Sequence, residues 1–422
     1  MSFDTAVSGI KAASTNLGII GNNIANAGTT GFKSSTGDFS DVFATSLLGV
    51  SANAIGKGVA VNGVNQSFSQ GNITFTDNVM DMAINGSGFF ILNDGGSQVY
   101  SRAGNFQVDR SGNVVNASGQ QLMTFNTTDT GLPTGGMSPL QIDNSLIQPQ
   151  ATDEVSMNAN LDSRALPPSV PWPAAGFDAF ATPATAPDPD MFNSSTSVTI
   201  YDSLGNSHTQ SLYFLKTATE NEWNVYSLID GVSQTGPDTL TFDSSGKIPS
   251  ASLPFEISAT GWQPLDSAGA NNGAAVEDFT VDLSKLTQFG NEFSVSTIDQ
   301  DGFTTGQLRG VEVGEGGVVF ARFTNGQSRA LGQVALADFS NTAGLQPLGG
   351  SIWAETFTSG QPTLSAPGAG GLGVVESGAL EDSNVEVTQE LVDMIVAQRN
   401  FQANAKVIQT QDTITQAIIN LR

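Results

Sequence analysis

The chain has 422 residues, enough for two or three domains, and its 47 glycines and 17 prolines fit many turns rather than helix throughout. Asp and Glu number 40 against 15 Lys and Arg, a formal charge of -25, so nucleic acid and anionic membrane are excluded as partners by repulsion. The absence of cysteine removes disulfides, thiolate nucleophiles and cysteine metal sites together.

The opening MSFDTAVSGIKAAS has no basic leader followed by an apolar run, and no stretch approaches the roughly twenty apolar residues of a membrane span. No membrane insertion is expected, and an extracellular role would need an export route that keeps the N-terminus. Phe3, Ile10, Leu17 and Ile24 recur every seven residues, with Ala6, Ala13 and Ile20 between them, which predicts an amphipathic helix over 3–24. Small alanines permit close approach, while Asn16, Asn22, Asn23 and Asn26 are poor interior helix residues and predict fraying near its end. Gly28 and Gly31 punctuate that end, and Thr29 and Thr30 favour extended or turn backbone. Residues 45–63 mix glycine and small side chains with a few aliphatics and read as irregular or short-stranded.

From 64 to 120 the period changes to short strands broken at Gln70-Gly71, Asp77-Asn78, Asn85-Gly86, Ala103-Gly104, Ser111-Gly112 and Ser118-Gly119. Met80, Met82 and Ile84 alternate with Val79, Asp81, Ala83 and Asn85, which predicts one buried face. Gly95 and Gly96 supply a tight turn. Closely spaced prolines from Ala165 to Asp190 forbid a central strand or helix and predict a surface excursion within an inserted domain. Strands resume from 196 to 301, with a turn at Ser203 to Asn206 and enough aromatic side chains for a separate sheet core. Phe303 to Leu345 is again hairpin-like. Arg102, Arg110, Arg309, Arg322 and Arg329 flank the middle block, and in so acidic a chain they suit ion pairing within or between subunits, or else solvated strand faces. A glycine-rich passage over 359–382 leads to the last helix.

That helix begins after Ser383 or Asn384, either of which suits its N-cap, with Glu386 and Glu390 in its first turns and Lys406 and Arg422 toward its other end. Its seam comprises Val387, Leu391, Met394, Phe401, Ala405 and Ile408, continuing after a register shift at Ile414, Ile418 and Leu421, interrupted by Gln398 and Gln411. At about 1.5 Å per residue it would reach on the order of 50 Å, and one apolar stripe on so long a helix needs a partner, which the first helix supplies. The pattern also fits an ordinary antiparallel helix pair capping a globular core. Ile19, Val396 and Val407 fall outside the seam, however, and surplus apolar surface implies further copies of the chain.

The expected fold class is therefore multidomain and mainly β, with N- and C-terminal α-helices forming a coiled-coil module in a nested, elongated architecture. Residues 1–63 with 365–422 would form the terminal helical polymerisation module, 64–144 with 291–364 an inner β domain, and 145–290 an inserted outer β domain. No catalytic constellation is legible. His208 lies in a probable turn without a zinc-binding pattern and reads as an exposed polar residue. GEGG at Gly314 to Gly317 lacks the ending of a phosphate loop and reads as a turn. Asp299 and Asp301 lack complete calcium-loop spacing, and Ser8 completes no nucleophile elbow. No enzyme, cofactor or metal is expected.

The run Gly21, Asn22, Asn23, Ile24, Ala25, Asn26, followed by Thr29, Thr30, Gly31, Phe32 and Lys33, resembles the opening motif of the bacterial flagellar rod and hook proteins, the axial family. DMAINGSGFF at Asp81 to Phe90 and SRAGNFQVDRSGNVVNASG at Ser101 to Gly119 resemble that family's next segments. The length, the insertion near 145–290, FTNGQSRALGQVALADFSN and the ending MIVAQRNFQANAKVIQTQD resemble its hook members, while the Pro-rich Ala165 to Asp190 stretch has no family match. The resemblance implies an extracellular homopolymer, a curved hollow tube acting as a flexible universal joint that transmits motor torque from rod to filament. It implies as partners the distal rod, hook cap and hook-filament junction proteins, and export unfolded through the flagellar apparatus. Other readings are a distal-rod-like structural protein, or a secreted flagellum-associated binding or cell-wall-modifying factor with a concave site in 145–290.

Overall fold

A computed structural model describes residues 3–43, 56–234 and 236–420. The first helix, α1, spans Phe3–Ala25, and the last, α2, spans Val387–Asn420. They pack antiparallel: the Asn404 side chain lies where a Cβ on Gly9 would go, and Asn23 Nδ2 donates to Glu390 Oε1 at 2.8 Å. The residues of α1 that become fully buried are small or polar apart from Ile20, namely Ala6, Ala12, Ala13 and Asn23. Such side chains let helix backbones come close, and a helix placed near its neighbours buries backbone as well as side chain.

A second face of α1 rests on the antiparallel hairpin of β1, Ser35–Val42, and β2, Gly58–Gln66. Ser8 Oγ accepts from Val59 N at 3.2 Å and donates to Thr5 O at 2.9 Å, a structural use of that hydroxyl. Gly58 has φ +122° with Ser8 directly over it, so only glycine fits. Ile19, expected outside the seam, points at Gly37 of β1. β2 makes Gly58–Gln66 a strand, the short-stranded form of the two expected for 45–63, and residues 45–55 of that passage lie outside the described residues.

Two compact units follow, and the first contains both helices: residues 1–144, 309–322 and 328–422. Its sheet is built outward from the hairpin Phe89–Asp94 and Ser97–Ser101, whose turn uses Gly95 and Gly96 at positive φ as expected. Strands Gln121–Thr127, Leu336–Asp338 and Ile352–Ala354 pair onto it. Phe89, Tyr100, Phe339 and Trp353 form an edge-to-face aromatic core beside Ile91, Ala335 and Ala337. Each fully buried large side chain contributes about 1.5–3 kcal/mol. One expected face becomes two here: Met82, Ala83 and Ile84 are all buried, because Val374–Ser377 returns to pair with Met82–Asn85 and neighbours cover both sides. Ala379–Glu381 then pairs with Ile73–Phe75, delivering the chain to α2.

The second unit comprises 145–308 and 323–327. Two sheets share one core. In the first, Glu154–Asp162 pairs parallel with Glu277–Asp282 and Thr287–Phe289 and antiparallel with Ser294–Gln300. The second runs through Ser194–Tyr201, Ser207–Lys216 and Glu222–Ile229. Alternate residues turn inward, so Val155, Met157 and Leu161 meet Leu212, Phe214, Trp223 and Val225. The pairing of Ser294–Gln300 carries this unit beyond residue 290. The Pro-rich stretch lies against the outer face, with Trp172 stacked on Tyr226 at 4.4 Å.

Candidate functional site

The described residues of the expected seam all lie on the helix pair, which polar side chains anchor to the strands beneath it. On α2 the positions at least partly covered are Glu390, Met394, Ala397, Asn404, Ala405, Val407, Ile408 and Gln411, with Phe401 at the margin; apart from Ala405 and Val407 they follow a four-three spacing. On α1 the corresponding row is Ala6, Gly9, Ala13, Asn16, Ile20 and Asn23. Met394, Phe401 and Ile408 of the expected seam thus lie on or beside the packed row, while Ile10, Leu17 and Ile24 are half-buried next to it. Phe3, Val387, Leu391 and Ile414 stay 57%, 42%, 48% and 49% exposed. The reason is that alanine, glycine and asparagine occupy the closest approach, so the larger aliphatics one position away remain outside the pair. Ile418 lies in α2 but its side chain is outside the described residues, as is Leu421 altogether. Val392, Ile395 and Val396 add to the exposed apolar surface of α2.

The expected fraying at Asn23 is not what the structure shows. Asn23 is buried, donates through Nδ2 to Ser35 O at 2.8 Å as well as to Glu390, and accepts from Ser35 N at 2.9 Å. One amide thereby ties α1, β1 and α2 together. Asn26 Nδ2 donates to Asn22 O at 2.9 Å, and Thr29 Oγ1 donates to Asn26 Oδ1 at 3.2 Å, which closes the end of α1. Nor does Asn384 cap α2. Its Oδ1 accepts from Ser34 N at 2.7 Å and its Nδ2 donates to Ser67 O at 2.8 Å, so the side chain splices the entry of α2 onto the exit of α1.

Beneath this splice lies a buried charge cluster. Lys33 Nζ donates to Glu381 Oε1 at 2.7 Å and to Ser69 O at 2.7 Å, and Arg102 Nη1 donates to Glu381 Oε2 at 3.1 Å. All three side chains are almost wholly buried. Gly71 N adds a bond to Glu381 Oε1 at 2.9 Å, and Arg102 Nη2 reaches Gly86 O at 2.7 Å. Burial pulls the Lys33 ammonium below the ordinary lysine range, with Glu381 pulling back, and Arg102 behaves likewise. Gly31 sits beside the cluster at φ +66°, its N donating to Glu381 O at 2.8 Å, with the Arg102–Ala103 backbone where a Cβ would project. Thr30 O accepts from Ser351 Oγ at 3.3 Å. Chain segments around Lys33, Ser69, Gly86, Arg102, Ser351 and Glu381 meet here, and the arrangement holds helices to sheet.

Lys33 and Arg102 are legible as basic residues in motifs, but Glu381 stands 348 positions from Lys33, so spacing offers no signal for the pair. Arg322 Nε donates to Glu312 Oε2 at 2.9 Å, an exposed pair within the first unit. Gly314 to Gly317 forms a turn with Gly316 and Gly317 at positive φ. Asp301 Oδ1 accepts from Asp153 N and Glu154 N. His208 overturns its expectation: it is buried, not an exposed turn residue, and sits between Asp202 and Asp230. No group of three or more His, Asp or Glu among the described residues could hold a metal ion.

Family models match in four blocks: flagella basal body rod protein over 3–33, flagellar hook protein FlgE/F/G D1 domain over 83–160, flagellar basal body protein FlaE D2 domain over 160–303, and flagellar basal body rod FlgEFG protein C-terminal over 376–421. Flagellar hook protein FlgE of Salmonella typhimurium is 39% identical over 433 residues, covering 100% of both chains. The Escherichia coli K12 and Borreliella burgdorferi proteins of the same name are 39% and 34% identical, covering 100% and 99% of this chain. The crystal structure of Helicobacter pylori flagellar hook protein FlgE2 aligns with a TM-score of 0.53 at 16% identity, over 73% of this chain and 100% of that one, a likeness of fold.

Proposed function

The chain belongs to the flagellar hook protein family, and from that premise we propose that it is the structural subunit of a bacterial flagellar hook, polymerising into a curved hollow tube that transmits torque as a flexible joint. Its place is the hook of the flagellum, an extracellular appendage. The observation that carries the assembly reading is the surface of α2. A helix paired through small residues, with Leu391, Val392, Ile395 and Val396 left about half exposed, has apolar surface for which the described residues of its own chain supply no cover. In a polymer, neighbouring copies supply that cover.

The finer reading takes α1 and α2 as a coiled-coil polymerisation module, the sheet of the first unit as an inner domain and the inserted segment as an outer one. Phe3, Ile10, Leu17, Ile24, Val387, Leu391 and Ile414 are then contact residues between copies, and Met394, Phe401 and Ile408 contacts within the pair. Distal rod, hook cap and hook-filament junction proteins would meet the same helices at the ends of the tube, and export through the flagellar apparatus would precede folding. The function is mechanical and calls for no catalytic residue. Negative-stain microscopy of the concentrated protein tests the proposal: ordered hollow tubes are expected. A protein that stays monomeric at every concentration and binds a soluble ligand saturably would overturn it.

A further inference from the structure

Three turns meet at one end of the second unit around the chain's single histidine. The first, Asp202 to Asn206, joins Ser194–Tyr201 to Ser207–Lys216. Its Asp202 is fully buried and accepts from Leu204 N at 3.0 Å, Asn206 N at 2.8 Å, Asn206 Nδ2 at 3.0 Å and Asn272 Nδ2 at 2.6 Å. The second turn carries Asp230, held at φ +50°, whose Oδ1 accepts from Thr209 N at 2.8 Å. The third is the loop that contributes Asn272. His208 fills the space between them, with Nδ1 2.6 Å from Asp230 Oδ2, Nε2 3.3 Å from Asp202 Oδ2, and its ring edge-on to Trp262 at 5.0 Å.

Both ring nitrogens therefore face carboxylate oxygens, which offer lone pairs only. Neutral imidazole carries one N–H and leaves a lone pair against one of the carboxylates, whereas imidazolium donates to both. We propose that His208 is a cationic pin fastening these three turns, so that this end of the second unit is closed at acidic and near-neutral pH and loosens when the imidazolium loses its proton. Asp202 faces the ring from the first turn and Asp230 from the second. The third loop presents the neutral Asn272, and its Asp266 lines the adjoining cavity of about 630 Å³ together with His208 and Asp230. Every charged neighbour is acidic and favours the cation, and opening the turns would widen that cavity.

The direction of titration agrees. The hydrogen bond to Asp230 raises the His208 pKa above the ordinary imidazole value, burial opposes it, and Asp202 adds to the rise. Burial pushes both carboxyls up, yet their hydrogen bonds outweigh it and hold Asp202 and Asp230 below the usual carboxylate range. A folded pKa above the unfolded value of about 6.5 gives stabilisation that is complete below that value and disappears as the pH rises through the folded pKa. On the acid side the pin fails only when the carboxylates protonate.

A single histidine gives one set of imidazole resonances, so NMR of the full chain reads this site alone. Titration clearly above about 6.5, with both ring N–H protons visible below it, is expected. Asp230→Asn, whose amide offers an N–H to a neutral Nδ1, should lower that midpoint and shift the alkaline fall in the second unit's melting temperature to lower pH. His208→Gln should flatten melting between about pH 6 and 9. A midpoint at or below about 6.5, or a midpoint unmoved by Asp230→Asn, would overturn the proposal, as would equal pH slopes in wild type and His208→Gln. If the glutamine variant does not fold, the wild-type and Asp230→Asn titrations decide the matter.

Discussion

Glu381 answers two buried cations at once, and its charge is what makes Lys33 and Arg102 tolerable inside the first unit. A buried ion pair is weak evidence of net stability, but removing one partner leaves an uncompensated charge. Glu381→Gln keeps the size and loses the charge, and it should cost about 3–5 kcal/mol, read as a lower denaturant midpoint for the first unit. A double replacement, Lys33→Met with Glu381→Gln, should recover part of that loss, because one stranded ammonium is gone; a double variant no more stable than the single would argue that packing, not charge, sets the effect. Gly31→Ala is the second test at this scale. A side chain there meets the Ala103 backbone in a left-handed conformation, and a loss of more than about 1 kcal/mol is expected from the same denaturation curves.

Among the elements, α2 separates two kinds of apolar position. Among the described side chains of α2, Ala397 is buried deepest, whereas Leu391 is half exposed. Ala397→Asp puts a charge into the helix pair and should cost about 2–4 kcal/mol, seen as lost helical circular dichroism in the monomer. Leu391→Asp should leave the monomer within about 0.5 kcal/mol of wild type, as exposed substitutions do, while sharply lowering tube yield. Normal tubes from Leu391→Asp would remove that residue from the contacts between copies. The two variants change net charge equally, so charge alone cannot account for a difference between them.

For the whole molecule, the insertion of one unit into another makes a deletion the natural experiment. Each unit has its own core, Val155 to Leu286 in the second and Phe89 to Trp353 in the first. Replacing residues 145–308 by a short Gly-Ser bridge should leave the first unit with cooperative melting and able to polymerise. The bridge has to start before Glu154–Asp162 and end after Ser294–Gln300, since those strands pair with each other. A folded deletion protein that forms no tubes at any concentration would show that the second unit is needed for assembly itself.

What the sequence determined by itself is what local periodicity and covalent chemistry carry. Heptad spacing from Phe3 placed α1, four-three spacing from Val387 placed α2, and glycine at 95 and 96 placed a hairpin turn, because each depends on neighbours within a few residues. The motif from Gly21 to Lys33 identified the family before any contact was known. Tertiary structure decided which stripe of each helix is buried, since the choice between Ala6–Ala13–Ile20 and Phe3–Ile10–Leu17 depends on how closely two distant helices approach. It likewise decided that Asn23 and Asn384 splice segments rather than fray or cap a helix, that Met82 to Ile84 is covered on both faces, and that His208 is buried. Each of these outcomes is set by a partner far along the chain: Lys33 and Glu381 are 348 residues apart, and no local pattern encodes the burial that makes them need each other.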